Sequence, residues 1–259
     1  MIHELRLFFI ALQFLTRVPV PRWVGFEAAW LNQSARQFPA VGLCVGAASA
    51  VVLVAGEALF GMAVGVGLSM AASVLITGAF HEDGLADTVD ALGGAVGRER
   101  ALEIMKDSRI GAYGAIGLAL MLGLKATALA SMPLAAAVPA LLLAHTASRA
   151  AAVALIRVLP YAGAVEHAKA KPMAQRVERS GLVVAAGWVV VVAAALCWHA
   201  PRDASAVLVS LLLALAGTAW CARWLRRSLG GYTGDALGAT QQITELLMLL
   251  GWLSIARAA

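Results

Sequence analysis

Seven apolar runs, each near the length that crosses a bilayer, constrain this chain more than any other feature. They occupy about residues 38–58, 61–80, 112–131, 134–158, 181–199, 205–222 and 238–256. A helix needs about 20 apolar residues to span the hydrocarbon core, and only helices or closed barrels do so with every backbone group hydrogen-bonded. The short alternating segments of barrel strands are absent. Charged residues make up 14% of the 259, well below the roughly 25% of soluble domains. The expected fold is therefore all-α: a polytopic membrane helix bundle of about seven transmembrane helices, forming a single integral membrane domain over residues 1–259. Cys44, Cys197 and Cys221 stand far apart in or beside apolar runs and read as small apolar residues, not metal ligands.

Ahead of these runs, Leu5 to Leu15 is apolar but too short to span, and Pro19 and Pro21 stop it. No small-residue cleavage pattern follows, so it is not read as a signal peptide. Residues 1–37 are expected to form an interfacial segment, its helix lying flat with the aromatics in lipid. The net charge of +5 is read as membrane orientation, and nucleic acid is not an expected partner. With the N-terminus inside, segments 1–37, 81–111, 157–180 and 223–237 hold 16 of the 20 lysines and arginines, while the outside turns hold only Arg202. The positive-inside rule then predicts a multi-pass protein with the loops at 81–111, 159–180 and 223–237 in the cytoplasm. Lys169 and Lys171 are read as orientation charges.

The second run ends in Phe80-His-Glu-Asp-Gly-Leu-Ala-Asp-Thr-Val-Asp90, four carboxylates within nine residues. On a helix, Asp83, Asp87 and Asp90 fall at i, i+4 and i+7 and share one face. Capping and the helix dipole account for one or two acids at a helix start, but not for a third two turns in. Crowded carboxylates call for a hard divalent cation. Glu82, Asp83, Asp87 and Asp90 are thus candidate ligands of Mg²⁺ shared with a substrate phosphate, with Asp87 or Asp90 also a candidate proton acceptor. His81 reads either as a ligand or base, or as an ordinary interfacial histidine.

Two further stretches suit phosphate. In Lys106-Asp-Ser-Arg-Ile-Gly-Ala-Tyr-Gly114, Lys106, Asp107 and Arg109 precede glycines at the mouth of a span, where free N–H groups can meet an anion. In Gly230-Gly-Tyr-Thr-Gly-Asp235, Gly231 allows close backbone approach, and Thr233 and Asp235 add oxygens; a plain loop capped by Asp235 is the competing reading. Lys125, His145, Arg149, Gln241, Gln242 and Glu245 lie inside apolar runs, where ionisable groups pair internally or meet a substrate.

Together with Phe14-Leu-Thr-Arg-Val-Pro-Val-Pro21, which adds Arg17 to the candidates, these motifs resemble the cobalamin synthase family, the adenosylcobinamide-GDP ribazoletransferases. The resemblance runs along most of the chain. It implies a Mg²⁺-dependent inner-membrane transferase that joins adenosylcobinamide-GDP to α-ribazole or its 5′-phosphate and releases GMP. Those substrates and membrane lipid are the implied partners, and a homo-oligomer is compatible with the reading. Asp83-Gly84, Ala86, Asp87 and Asp90 are also distantly similar to the CDP-alcohol phosphotransferases. That family has Arg after the Ala, where this chain has Asp87, so its metal ligands and fold are not carried over. The alternative function is a membrane transporter with a cytoplasmic cation site, lined by Lys125, Arg149 and Glu245. Against it, the densest acids lie at an expected membrane edge and no inverted repeat relates the halves.

Overall fold

A computed structural model describes residues 2–25, 27–163 and 176–257. Eleven α-helices follow in order among the described residues: α1 (Ile2–Leu15), α2 (Ala28–Ser34), α3 (Phe38–Phe60), α4 (Met62–Thr77), α5 (Phe80–Gly93), α6 (Arg98–Ile104), α7 (Ala112–Ala130), α8 (Leu134–Val158), α9 (Arg179–His199), α10 (Ala204–Leu229) and α11 (Gly234–Ala256). All seven expected spans are helices. Five helical stretches are long and apolar enough to cross a membrane alone: Ala29–Phe60, α7, α8, α9 and Pro201–Leu229. The bent pair α4–α5 makes up to six if it counts as one span. The difference from seven has a physical reason. Helix α4 has only 16 residues, short of the roughly 20 required, and α11 carries Gln241, Gln242 and Glu245 in its interior. The protein is a multi-pass membrane protein.

Small residues set the helix spacing. At the α3–α4 reversal, a Cβ on Gly56 would lie 2.8 Å from the Gly65 Cα, so the two backbones touch. Gly42 and Gly46 of α3 lie against the backbone of α8 in the same way. Helices α8 and α11 run through the centre and bury residues on nearly every face, Trp252 included. Helices α7, α9 and α10 are peripheral and expose Leu120, Val183, Val190 and Leu215, as lipid-facing surfaces do. Trp198 is 90% exposed near the end of α9, where aromatic residues favour the membrane–water interface.

Helix α1 ends at Leu15, ahead of the prolines, as expected. Its buried face (Leu7, Ile10, Ala11, Leu15) packs on the bundle. Phe14 stacks on Phe38 at 5.7 Å and meets Phe80 edge-on at 5.4 Å. This aromatic turns to protein rather than to lipid because α3 and α5 offer rings to receive it. The chain leaves α1 through Arg17, whose backbone N–H donates to the Ile76 carbonyl (2.8 Å), so the segment after α1 is tied to the end of α4.

Candidate active site

The site is built on a corner. Helix α4 ends at Gly78 and α5 departs at 88°. Gly78 and Ala79 take left-handed backbone conformations, φ 68° and 60°. Gly78 has no strain in that region, whereas Ala79 has some. The Arg17 side chain lies over Gly78 in space that a Cβ would fill. Helix α5, outside the five lone spans, then crosses α11 at glycines. A Cβ on Gly84 would stand 2.7 Å from the Asp235 carbonyl oxygen, and one on Gly238 would stand 3.1 Å from that of His81. The Asp-Gly of the acidic motif therefore serves this crossing.

The four acids of that motif separate into three environments. Asp90 is an anchor: its Oδ2 accepts from the Gly111 N–H and its Oδ1 from the Gly114 N–H, both at 2.7 Å. It satisfies the free N–H groups at the start of α7 and complements that helix dipole. Side chains at Gly111 and Gly114 would collide with its carboxylate, so these glycines make room for Asp90. Glu82 is buried and points inward, accepting from Gln242 Nε2 at 3.0 Å.

Asp83 and Asp87 remain on the outer side, with Asp83 exposed and Asp87 half-buried. Across the Gly84 crossing they meet the field of Asp235. Burial first, then repulsion from Asp235, Asp83 and Asp90, pushes the Asp87 carboxyl up to about 7. Burial likewise raises Asp235, with a smaller contribution from Asp83. Two motifs far apart in the chain thus contribute acids to one place.

Among the described residues, no group of three or more His, Cys, Asp or Glu side chains is disposed to hold a metal ion by itself. Mg²⁺ does not require such a group: it keeps several waters and takes one or two carboxylates plus substrate phosphate oxygens. The crowding that raises Asp87 is relieved by a cation, so these acids fit Mg²⁺ in that shared mode.

Arg109 forms a bidentate pair with Asp107, Nη2 to Oδ2 at 2.6 Å and Nε to Oδ1 at 2.9 Å, with the Arg109 side chain 87% exposed. This fork, chiefly through its hydrogen bonds, pulls Asp107 down to about 2. An exposed pair is weak and exchangeable, so the fork can be released. Lys106 is exposed on the same loop.

In the third motif, Thr233 is the N-cap of α11. Its hydroxyl accepts from the Ala236 N–H at 3.2 Å and donates to Met105 Sδ at 3.6 Å. Sequence offered Asp235 as the cap; Thr233 caps instead, leaving Asp235 to face α5. Gly231 has no Cβ to meet the Pro160 carbonyl, and that closeness zips two loops together. The Tyr232 N–H donates to Pro160 O (3.0 Å) and the Ala162 N–H to Tyr232 O (2.8 Å), a parallel bridge between Tyr161 and Tyr232.

The bridge brings in Tyr161, which sequence reasoning missed. Its ring meets Tyr232 edge-on at 5.6 Å. Burial, then the Asp235 carboxylate, raises its phenol. Nothing in Leu159-Pro-Tyr-Ala162 advertises this role, since the signal lies in a non-local backbone pairing. Lys169 and Lys171 lie outside the described residues.

The remaining candidates form an interior network. Lys125 Nζ donates to Gln242 Oε1 (2.6 Å) and Glu245 Oε1 (2.5 Å). Glu245 also approaches His145 Nδ1 at 3.3 Å and bonds Gln241. Arg149 Nη1 donates to the His145 carbonyl at 3.0 Å. All are buried, and pairing among themselves is the reading the structure supports. His81 is buried and shares a small cavity with Arg149.

A family model described as cobalamin-5-phosphate synthase matches residues 7–253. A protein of Leptothrix cholodnii is 56% identical over 257 residues, covering 98% of this chain and 97% of its own length. Relatives in Shewanella amazonensis and Vibrio cholerae are 44% and 41% identical, covering 96% of this chain and 95% and 93% of their own lengths. All three are named adenosylcobinamide-GDP ribazoletransferase. No solved structure matches the chain.

Proposed function

The chain belongs to the cobalamin-5-phosphate synthase family, and from that premise we propose that it is the transferase that joins adenosylcobinamide-GDP to α-ribazole or its 5′-phosphate and releases GMP. The observation that carries the site assignment is the convergence of Asp83 and Asp87 with Asp235 at the α5–α11 crossing. The transporter alternative finds no support: the relatives are transferases by name, Lys125 and Glu245 pair with each other, and Arg149 donates to the His145 carbonyl.

A ribose hydroxyl of the acceptor attacks the phosphorus bearing cobinamide. The new O–P bond forms as the bond to the bridging oxygen breaks, and GMP departs with that oxygen. Asp87, raised towards neutrality and partly dry, takes the hydroxyl proton. Asp83 and Asp235 would hold Mg²⁺, which supplies charge neutralisation to the diphosphate when bound. Lys106 and Arg109 clamp the diphosphate, Arg109 exchanging Asp107 for phosphate. Asp90 and Thr233 hold the N-termini of α7 and α11 in register with the acids. The lysine and arginine distribution supports a site on the cytoplasmic side, the family resemblance supports an inner-membrane location, and α1, ahead of the span-length stretch Ala29–Phe60, lies along the interface.

The test is GMP release by the purified protein in lipid nanodiscs from adenosylcobinamide-GDP and each acceptor, with Mg²⁺ and with chelator. Release only with both substrates and metal is expected. Turnover that survives chelation removes the metal, and no release with either acceptor removes the reaction.

A further inference from the structure

Ser49, Ser69, Glu82, Lys125, His145 and Glu245, from six different helices, line a small cavity of about 20 Å³ in the bundle interior. That is about the space one water molecule needs. Most polar atoms around it are satisfied: Lys125 by Gln242 and Glu245, the first oxygen of Glu82 by Gln242, and Ser69 by the Ser49 carbonyl at 2.8 Å. Two are not. Glu82 Oε2 and Ser49 Oγ are buried without a partner, on residues 8% and 1% exposed. An unpaired carboxylate oxygen in an apolar interior is costly, and most buried polar groups have a partner.

The charges decide what fills the gap. Lys125 and Arg149 are balanced by Glu245 and Glu82, all four buried. A metal cation would leave this cluster net positive among apolar helices, where uncompensated charge is most expensive. A water is neutral, can donate to both Glu82 and Ser49, and fits the volume.

We propose that one ordered water occupies this cavity and bridges Glu82 to Ser49, and that Glu82, tied through it to α3 and through Gln242 to α11, is a positioning residue that fixes α5. Adjacent helical residues point about 100° apart. Holding Glu82 inward therefore holds Asp83, and with it Asp87 one turn on, towards Asp235. The positioning half rests on the metal and base reading of those acids.

The experiment uses the full chain in detergent with Glu82→Gln, Ser49→Ala and the double variant, and Asp83→Asn for contrast. Apparent Tm and Mn²⁺ binding by electron paramagnetic resonance are read for each. Each single network variant is expected to lower Tm by a few degrees, and the double by less than the sum, because both act on one shared occupant. Mn²⁺ affinity is expected to weaken by about threefold for Glu82→Gln, because the acids it positions lose their register, and by at least tenfold or so for Asp83→Asn; an unchanged affinity in Glu82→Gln overturns the positioning half. Additive Tm losses overturn the bridge. A Tm that rises in sodium chloride over choline chloride makes the occupant a cation and overturns the water. A tenfold or so loss of Mn²⁺ affinity in Glu82→Gln makes Glu82 a ligand. If the unaltered protein binds no Mn²⁺, the metal reading fails, while the Tm cycle still decides the bridge.

Discussion

Asp90 separates two accounts of the acidic helix, and its replacement by alanine tests them. The sequence pattern groups it with Asp83 and Asp87 as a metal ligand, whereas the structure uses both its oxygens on backbone N–H groups of α7. A hydrogen bond to a charged group contributes about 1.5–3 kcal/mol net, and a lost helix cap costs about 0.5–2 kcal/mol. The Gly111 bond is exposed, so the low end applies there, and the two together should contribute about 2–3 kcal/mol. For a chain of this size 1 kcal/mol moves Tm by about 2–4 °C. Asp90→Ala should therefore lower the apparent Tm by about 4–12 °C, with Asp90→Asn in between because it keeps one acceptor. The assay is thermal unfolding in detergent, with Mn²⁺ affinity measured well below the transition. Near-normal Mn²⁺ binding in the destabilised protein is expected. An unchanged Tm together with lost Mn²⁺ binding would refute the anchor and restore Asp90 to the metal site.

Asp87→Asn should abolish turnover yet stabilise the metal-free protein at alkaline pH. The native carboxyl keeps its proton up to about 7, so between its ordinary value and that point the folded state binds more protons than the unfolded one and stability falls as pH rises; Tm scans at about pH 4.5 and pH 8 should show the asparagine advantage only at the higher value. In the same variant series, activity of the unaltered protein at limiting Mg²⁺ should rise with pH through about 7, and saturating Mg²⁺ should move that rise to lower pH; a flat profile removes Asp87 as the base. Asp107→Asn frees the Arg109 fork and should lower KM for adenosylcobinamide-GDP, while Arg109→Lys should lose roughly tenfold or more in kcat/KM; a raised KM in Asp107→Asn makes Asp107 a direct substrate contact. Single cysteines at 98, 178 and 227 in a cysteine-free chain should resist an impermeant reagent added to the outside of intact cells, and efficient labelling would invert the orientation.

The fold was legible where length and composition decide it. Apolar runs marked all seven long segments, and Pro19 and Pro21 marked the end of α1. The corner at Gly78-Ala79 was not legible. It rests on two successive left-handed residues, and Ala79 carries no sequence signature of that conformation. The pattern placed Gln241, Gln242 and Glu245 inside the last run but could not say which partners they would find. Hydropathy alone does not record partners.

Helical spacing correctly brought Asp83, Asp87 and Asp90 to one side of α5, but a shared face says nothing about what each position meets. The first two meet Asp235 at the Gly84 crossing, and the third, a turn further, meets the start of α7. Glu82, next to Asp83, belongs to another compartment because adjacent residues diverge on a helix. The glycines show the same division: from sequence Gly111 read as the mouth of an anion site, Gly231 as room for close backbone approach, and Gly84 only as part of an Asp-Gly pair. In the structure each admits another part of the chain, respectively Asp235, the Asp90 carboxylate and the Pro160 carbonyl. Each acidic or phosphate motif therefore spends part of its residues gripping the next, and what is left over for substrate is Asp83, Asp87, Asp235 and the exchangeable Arg109. The chemistry could be read from residue types, but the division between scaffold and site could be read only from the contacts.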